Sequence, residues 1–263
     1  MSEPHLLCYD MGRGVTAFST TRCQGYSEGK YGAFNINEWC GDNELHVRAN
    51  REALCSSMQI PSSALLVPHQ VHGTEVRVVD EPLLQASEPQ RRQMLEGVDA
   101  LVTNIPRCCI GVSTADCIPV LLYDAAHAAV GAVHAGWRGT VKHIAAHTLQ
   151  VMQRTYGTRA SDVRAVIGPG VSLAAFEVGD EVYEQFAEAF PHHPEVCARY
   201  AKWHIDLWRC NRLDLESRGV PASHIHEAGI CTYGHTEEFF SARRLGISSG
   251  RIYTGIMLHN LKI

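Results

Sequence analysis

Three short segments combine metal-binding residue types with neighbours small enough to let a ligand come close. They are Pro68-His69-Gln70-Val71-His72-Gly73-Thr74-Glu75-Val76, Ser113-Thr114-Ala115-Asp116-Cys117-Ile118-Pro119-Val120 and Ala132-Val133-His134-Ala135-Gly136-Trp137-Arg138-Gly139-Thr140. Each places a His or Cys at the end of an apolar run, beside Gly, Ala or Pro. Thiolate sulfur and imidazole nitrogen are natural zinc ligands, and three protein ligands leave a fourth position for water or substrate. His72, Cys117 and His134 could form such a set. They stand 45 and 17 residues apart, so only the fold can bring them together. The plainer alternative is a buried apolar cysteine and histidines that bond to carbonyls.

Other residues could bind or act on a substrate. Asp116, next to Cys117, is a candidate general acid/base or a partner of a metal ligand. Gly136 to Thr140 leads from a strand into a helix expected to start near Thr140. Its free N–H groups and the guanidinium of Arg138 could receive an anion such as phosphate. Gly168-Pro169-Gly170 follows a strand but is no Walker loop. Glu177 could orient a hydroxyl, carry a proton or cap the next helix. Arg22 and the pair Arg243-Arg244 are further anion-binding candidates. His143 and His147 are spaced like helical zinc ligands, but they share a polar face with Gln150 and Arg154, so a solvated face is expected. His224-Ile225-His226 is a lone H-x-H, whereas a multicopper oxidase needs several.

These groups must be positioned by elements that hydrophobic patterning locates. Strands are expected at Val76–Val79, Ala100–Thr103, Cys109–Ser113, Ile118–Tyr123, Ala128–Val133, Val163–Ile167 and His224–Cys231. Helices are expected at Asn43–Met58, Thr140–Thr155, Gly179–Phe190 and Ile205–Gly219. The polar stretch from Gln85 to Gly97 reads as a surface loop or short helix between two strands. Only four residues separate Cys109–Ser113 from Ile118–Tyr123, which predicts an antiparallel hairpin extended by the strand from Ala128. The expected fold is α+β: mixed or antiparallel sheets packed together with flanking helices, in one domain spanning residues 1–263.

The chain has 263 residues, 45% of them hydrophobic and 19% charged, enough for a packed core. Its net charge of −5 argues against a non-specific nucleic-acid binder. No run of eighteen apolar residues suggests a membrane span. Met1-Ser2-Glu3-Pro4-His5 does not read as a secretory leader, so a cytoplasmic location is expected. Ten cysteines are scattered without a C-x-x-C pair and are expected to be reduced.

The chain resembles the bacterial laccase-domain (YfiH-like) family. The resemblance is carried by Ser19-Thr20-Thr21-Arg22, Phe34-Asn35-Ile36-Asn37, Cys40-Gly41-Asp42, Gln70-Val71-His72-Gly73, Thr114-Ala115-Asp116-Cys117 and Val133-His134-Ala135-Gly136-Trp137-Arg138-Gly139. It continues through Gly168-Pro169, Phe176-Glu177-Val178-Gly179, Cys231-Thr232-Tyr233 and Phe239-Phe240-Ser241-Ala242-Arg243-Arg244. One departure is Ala242, where the family often has an aromatic residue.

The resemblance implies zinc on His72, Cys117 and His134. It also implies phosphorolysis of adenosine, inosine, guanosine and methylthioadenosine to free base and ribose 1-phosphate, with adenosine deamination beside it. Phosphate is then a co-substrate. Asp116, Glu177 and Arg138 are the catalytic candidates; Arg22, Asn35, Arg138 and Arg243 are the substrate-binding ones. An older family label, copper polyphenol oxidase, gives a second expectation, since a Cys/His set also takes copper in vitro. A cysteine hydrolase using Cys117 and His134 gives a third, and a non-catalytic metal-binding protein a fourth. Partners are expected to be small molecules, with no nucleic acid, membrane or obligate protein partner.

Overall fold

A computed structural model describes residues 3–260. Met1 and Ser2 of the N-terminal segment read above lie outside the described residues. Fourteen strands are present among the described residues. They are β1 (Leu6–Tyr9), β2 (Val15–Thr20), β3 (Leu65–Leu66), β4 (Val76–Val78), β5 (Ala100–Thr103), β6 (Cys109–Thr114) and β7 (Ile118–Asp124). There follow β8 (Ala129–Ala135), β9 (Val163–Ile167), β10 (Glu177–Val178), β11 (Cys197–Arg199), β12 (Trp203–Ile205), β13 (Ile225–Glu227) and β14 (Ile252–Leu258). The helices are α1 (Glu44–Met58), α2 (Glu81–Gln85), α3 (Glu88–Met94), α4 (Trp137–Val141), α5 (Ile144–Tyr156), α6 (Asp180–Ala189), α7 (Leu207–Ser217) and α8 (Ala242–Leu245).

Two large mixed sheets face each other. One has the order β1-β2-β14-β6-β3 and the other β13-β9-β7-β8-β5-β4; a small sheet β10-β12-β11 stands beside them. Strand alternation divides the core accordingly. Ile110, Val112, Leu101, Leu121, Val130, Ala132 and Ile256 fill the layer between the sheets. From the other face of the six-stranded sheet, Val102, Val120, Leu122 and Val133 meet Ile144, Leu149 and Met152 of α5 and Cys210, Leu213 and Leu215 of α7. On the far side of the five-stranded sheet, Phe18, Cys109 and Tyr253 meet Ala53, Leu54 and Cys55 of α1. Central strands are therefore covered on both faces, which is why β6, β7 and β8 are buried at every position and are largely apolar.

The α+β expectation is met, with three local corrections. Cys109–Ser113 and Ile118–Tyr123 do not form a hairpin. β6 pairs with β14 and β3, whereas β7 pairs with β8 and β9. Residues 115–117 are a corner that takes the chain from one sheet to the sheet facing it. Four residues suffice for either geometry; two strands buried on both faces each need flanking layers, and the corner supplies them. The hairpin to the next strand, β7–β8, does form.

The helix expected at Thr140–Thr155 is two. α4 begins at Trp137, and the chain breaks at Lys142-His143, where His143 adopts φ +58°. His143 Nδ1 lies 2.9 Å from the buried Asp214 carboxylate, so this histidine serves a helix junction rather than a solvated face. The strand expected at His224–Cys231 shortens to β13, with His224 in a 3-10 turn before it. The central strand β14, its neighbour β2, the edge strand β1 and the short strands β3, β10, β11 and β12 have no counterpart among the elements expected from sequence. All ten cysteines are unbridged. Among the described residues, no helix is long and apolar enough to cross a membrane.

Candidate metal centre and its cleft

The corner after β6 and the ends of β8 and of the 67–75 loop converge. In the β7–β8 ladder Ile118 is paired with Ala135 and Pro119 with His134. That register sets Cys117, one residue before β7, opposite Gly136, one residue after β8. His134, near the end of β8, is then a neighbour of Cys117.

His72 comes from the loop and sits at φ +62°, a left-handed conformation unfavourable for a side-chain-bearing residue. The loop is held by Asp99, which is fully buried at the head of β5. Its carboxylate accepts hydrogen bonds from the backbone N–H of Val71 (3.3 Å), His72 (3.0 Å) and Gly73 (2.7 Å). The same carboxylate lies 2.7 Å from His134 Nδ1. One buried group therefore fixes the backbone of one candidate ligand and the ring of another.

The ligand atoms of His72, Cys117 and His134 all lie within 4.8 Å of one another. With Nδ1 of His134 turned to Asp99, Nε2 is the nitrogen left for the cluster. A Cβ built on Gly136 would meet His72 Cδ2 at 2.9 Å, Cys117 Sγ at 3.1 Å and His134 Nε2 at 3.6 Å. Gly136 thus keeps open a space bounded by all three donors. Two imidazoles and a thiol around a space kept free of side chains, with a carboxylate behind one imidazole, fit a zinc ion bound through three protein ligands.

The local electrostatics agree with that fit. Burial pushes the Cys117 thiol up, but the charges and hydrogen bonds of His134 and His72 outweigh it and bring it well below the usual thiol range. Burial pulls His134 down, but Cys117 and Asp99 win and raise it. Asp99 is pushed up by burial and more strongly lowered by His134 and the loop N–H groups. Thiolate character and a fixed imidazole tautomer are what a metal needs from these ligands.

The trio opens into a cleft of about 340 Å³. Its lining includes Asn37, Trp39, Cys40, His69 and Gln70, the corner from Ser113 to Cys117, and Phe176, Arg243, Ile247 and Arg251. Asp116 lies in this lining at φ +83°. Its carboxylate accepts from Thr232 Oγ1 and from the Arg243 backbone N–H, each at 2.7 Å. Arg243 packs on Phe176 and donates through Nη2 to the Glu177 carbonyl at 2.9 Å.

The remaining sequence candidates lie outside the lining. The exposed Glu177 carboxylate pairs with Lys202 at 2.8 Å. Arg22 donates to the carbonyls of Gly32 and Thr236, each at 2.8 Å, and lies over Phe240. Arg138 is exposed and covers the Trp137 ring. Asn35 is buried: its amide donates to the Asn37 carbonyl and Asp42, and its oxygen accepts from the Asn37 and Arg251 backbones.

Sequence reasoning did not single out Asp99, Gln70 or Arg251. Gln70 Oε1 accepts from the Ser113 N–H at 2.7 Å and its Nε2 donates to the Ser113 carbonyl at 2.9 Å. The side chain thereby continues the sheet edge and ties the His72 loop to the Cys117 corner. A lone carboxylate opening the apolar run Ala100–Thr103 was the signal for Asp99.

A family model described as multi-copper polyphenol oxidoreductase laccase matches residues 16–259. The chain belongs to this laccase-like family. A purine nucleoside phosphorylase from Bacteroides thetaiotaomicron is 49% identical over 249 residues, covering 93% of this chain and 92% of the relative. A protein named adenosine deaminase RL5, from an unknown prokaryotic organism, is 42% identical over 246 residues, covering 92% and 94%. The crystal structure of Bacillus licheniformis hypothetical protein YfiH superposes with a TM-score of 0.91 at 30% identity, covering 97% of both chains. The family resemblance and the α+β fold expected from sequence are thereby shown.

Proposed function

We propose that this laccase-like protein is a zinc enzyme that cleaves purine nucleosides with phosphate and also deaminates adenosine. The observation that carries the reading is the convergence of His72, Cys117 and His134 in one cleft with Asp116 and Arg243. The names of its relatives support the substrate class. In phosphorolysis a phosphate oxygen bonds to ribose C1′ while the C1′–N9 bond breaks. Its electron pair leaves with the base, which takes up a proton.

Arg243 and Arg251 are the guanidinium groups of the lining. Arg243, whose one side-chain hydrogen bond among the described residues is to the Glu177 carbonyl and whose backbone is tied to Asp116, is the one we assign to phosphate. Asp116 is the acidic side chain of the lining, and we assign to its protonated carboxylic acid form the delivery of the proton that the leaving base takes up, which leaves the carboxylate behind. Glu177 supports Arg243 through its carbonyl. Zinc held by the trio would supply Lewis acidity, lowering the pKa of water to about 7, as deamination requires.

The test is base release from adenosine and inosine, with and without phosphate, on metal-analysed protein beside Cys117→Ala. Phosphate-dependent release of adenine and hypoxanthine, lost in the variant, supports the reading. No release, with phenol oxidation that scales with added copper, replaces it with the oxidase that the family description names.

One observation favours a second reading. Cys117, His134 and Asp99 also stand in the order nucleophile, base and orienting carboxylate. In a cysteine hydrolase, zinc would inhibit turnover; in the phosphorylase, zinc-loaded protein is the active form.

A further inference from the structure

His69 lines the cleft with more restraint than a surface histidine needs. Its backbone N–H donates to the Leu95 carbonyl and its own carbonyl accepts from the Gly97 N–H, each at 3.0 Å. Its Nδ1 lies 2.7 Å from Glu96 Oε1. One face of its ring stacks on Trp39, with centroids 4.3 Å apart. Arg92 lies over the same indole at 4.6 Å and forms an ion pair with Glu38. Trp39, which lines the cleft, is thus already engaged by two neighbours, and as an indole it can donate a hydrogen bond but not accept one.

His69 offers what Trp39 cannot. With Nδ1 turned to the Glu96 carboxylate, the tautomer that donates Nδ1–H to it carries its lone pair on Nε2. That nitrogen has no partner among the described residues, and the ring borders the same cleft as the ligand trio. A fixed acceptor on an aromatic ring selects a flat ligand that carries N–H donors at its edge. Purine bases do: adenosine has its 6-amino group, and inosine and guanosine have N1–H.

We propose that His69 is the base-reading residue of this cleft, accepting a hydrogen bond through Nε2 from the purine N–H groups. The assignment rests on the nucleoside reading above. The roles of its neighbours follow from it: Glu96 sets the tautomer, Trp39 sets the ring plane, and Gln70 and His72 continue the segment to the metal.

The test is direct binding to zinc-loaded protein without phosphate, with the nucleoside recovered and checked by chromatography. The two probes are adenosine and 6-methylpurine riboside, in which a methyl group replaces the amino donor. Wild type should bind adenosine about tenfold more tightly, the scale of one hydrogen bond that would otherwise leave a polar group unpaired. His69→Phe, which keeps the ring against Trp39 and removes the acceptor, should weaken adenosine about tenfold and leave 6-methylpurine riboside within twofold. Glu96→Gln, which still accepts from Nδ1, should keep the preference. Zinc content and Tm of each variant separate a damaged site from a lost contact.

Equal losses for both probes, or no loss for either, overturn the assignment. Binding with this pattern but without base release would overturn phosphorolysis and leave His69 standing. Binding of neither probe by wild type would remove both.

Discussion

The carboxylate of Asp99 lies 2.7 Å from His134 Nδ1 and also accepts the backbone N–H of His72. Two candidate ligands 62 residues apart in the chain are thus held by one buried residue. Asp99→Asn would put an amide N–H among donors that need acceptors. Zinc affinity should fall by about 10–100-fold, measured by competition with a chelator. Stability should fall by about 1–3 kcal/mol, the cost of unpaired buried groups.

The pH dependence of the metal-stripped protein should report the same carboxylate. Asp99 is held below its ordinary value of 3.8, so it stabilises the fold when ionised. That contribution is full above the unfolded-state value and is lost as pH falls through the folded one. Tm measured from pH 7 downward should drop less steeply on the acid side in Asp99→Asn than in wild type. Parallel curves would assign the acid limb to other carboxylates.

Gly136→Ala tests the space between the ligands. The backbone there, at φ −65°, accepts alanine without strain. Its methyl would nevertheless stand 2.9 Å from His72 Cδ2 and 3.1 Å from Cys117 Sγ. His72 is exposed and can swing away, so the fold should survive within about 1 kcal/mol. Metal bound per chain should fall at least about tenfold, as expected when one of three ligands is displaced. Full metal content in the variant would mean that the ion sits elsewhere.

The reach of sequence reasoning follows from how local each feature is. His72, Cys117 and His134 were legible because each sits where an apolar run meets a small residue, a pattern a few positions long. Asp99 and Gln70 act across long stretches of chain, and nothing beside them shows which backbone groups they satisfy. Arg22, Asn35 and Arg138 lie in motifs as conspicuous as those of the ligands, yet their side chains brace loops or face solvent. The β6–β7 corner escaped because a four-residue gap fits both a hairpin and a change of sheet. Only the long-range pairing of β6 with β14 decides between them, and β14 was itself unassigned.

Gln70→Leu removes both hydrogen bonds to the Ser113 backbone while keeping the side-chain bulk. A buried N–H and carbonyl left unpaired should cost about 1–3 kcal/mol, read as a lower denaturation midpoint at unchanged m-value. The loop would also lose its tie to the Cys117 corner, so zinc affinity should fall with stability. Gln70→Glu keeps the acceptor for the Ser113 N–H but sets a carboxylate against the Ser113 carbonyl. It should therefore be the more damaging of the two at neutral pH and recover toward Gln70→Leu as the carboxylate is protonated.

Removing the metal should expose a reactive thiol. In the stripped protein Cys117 is held below the usual thiol range by His134 and His72. Burial raises Cys108 and Cys109 to about 12. Alkylation near neutral pH, read by peptide mass, should therefore modify Cys117 and leave Cys108 and Cys109 intact, because the thiolate is the reacting species. Prior addition of one equivalent of zinc should block labelling at Cys117 alone. Exposed Cys8 labels with or without metal and serves as the internal reference. If zinc protects Cys8 as well, the protection is not local; if Cys117 labels equally with and without zinc, its sulfur is not a ligand.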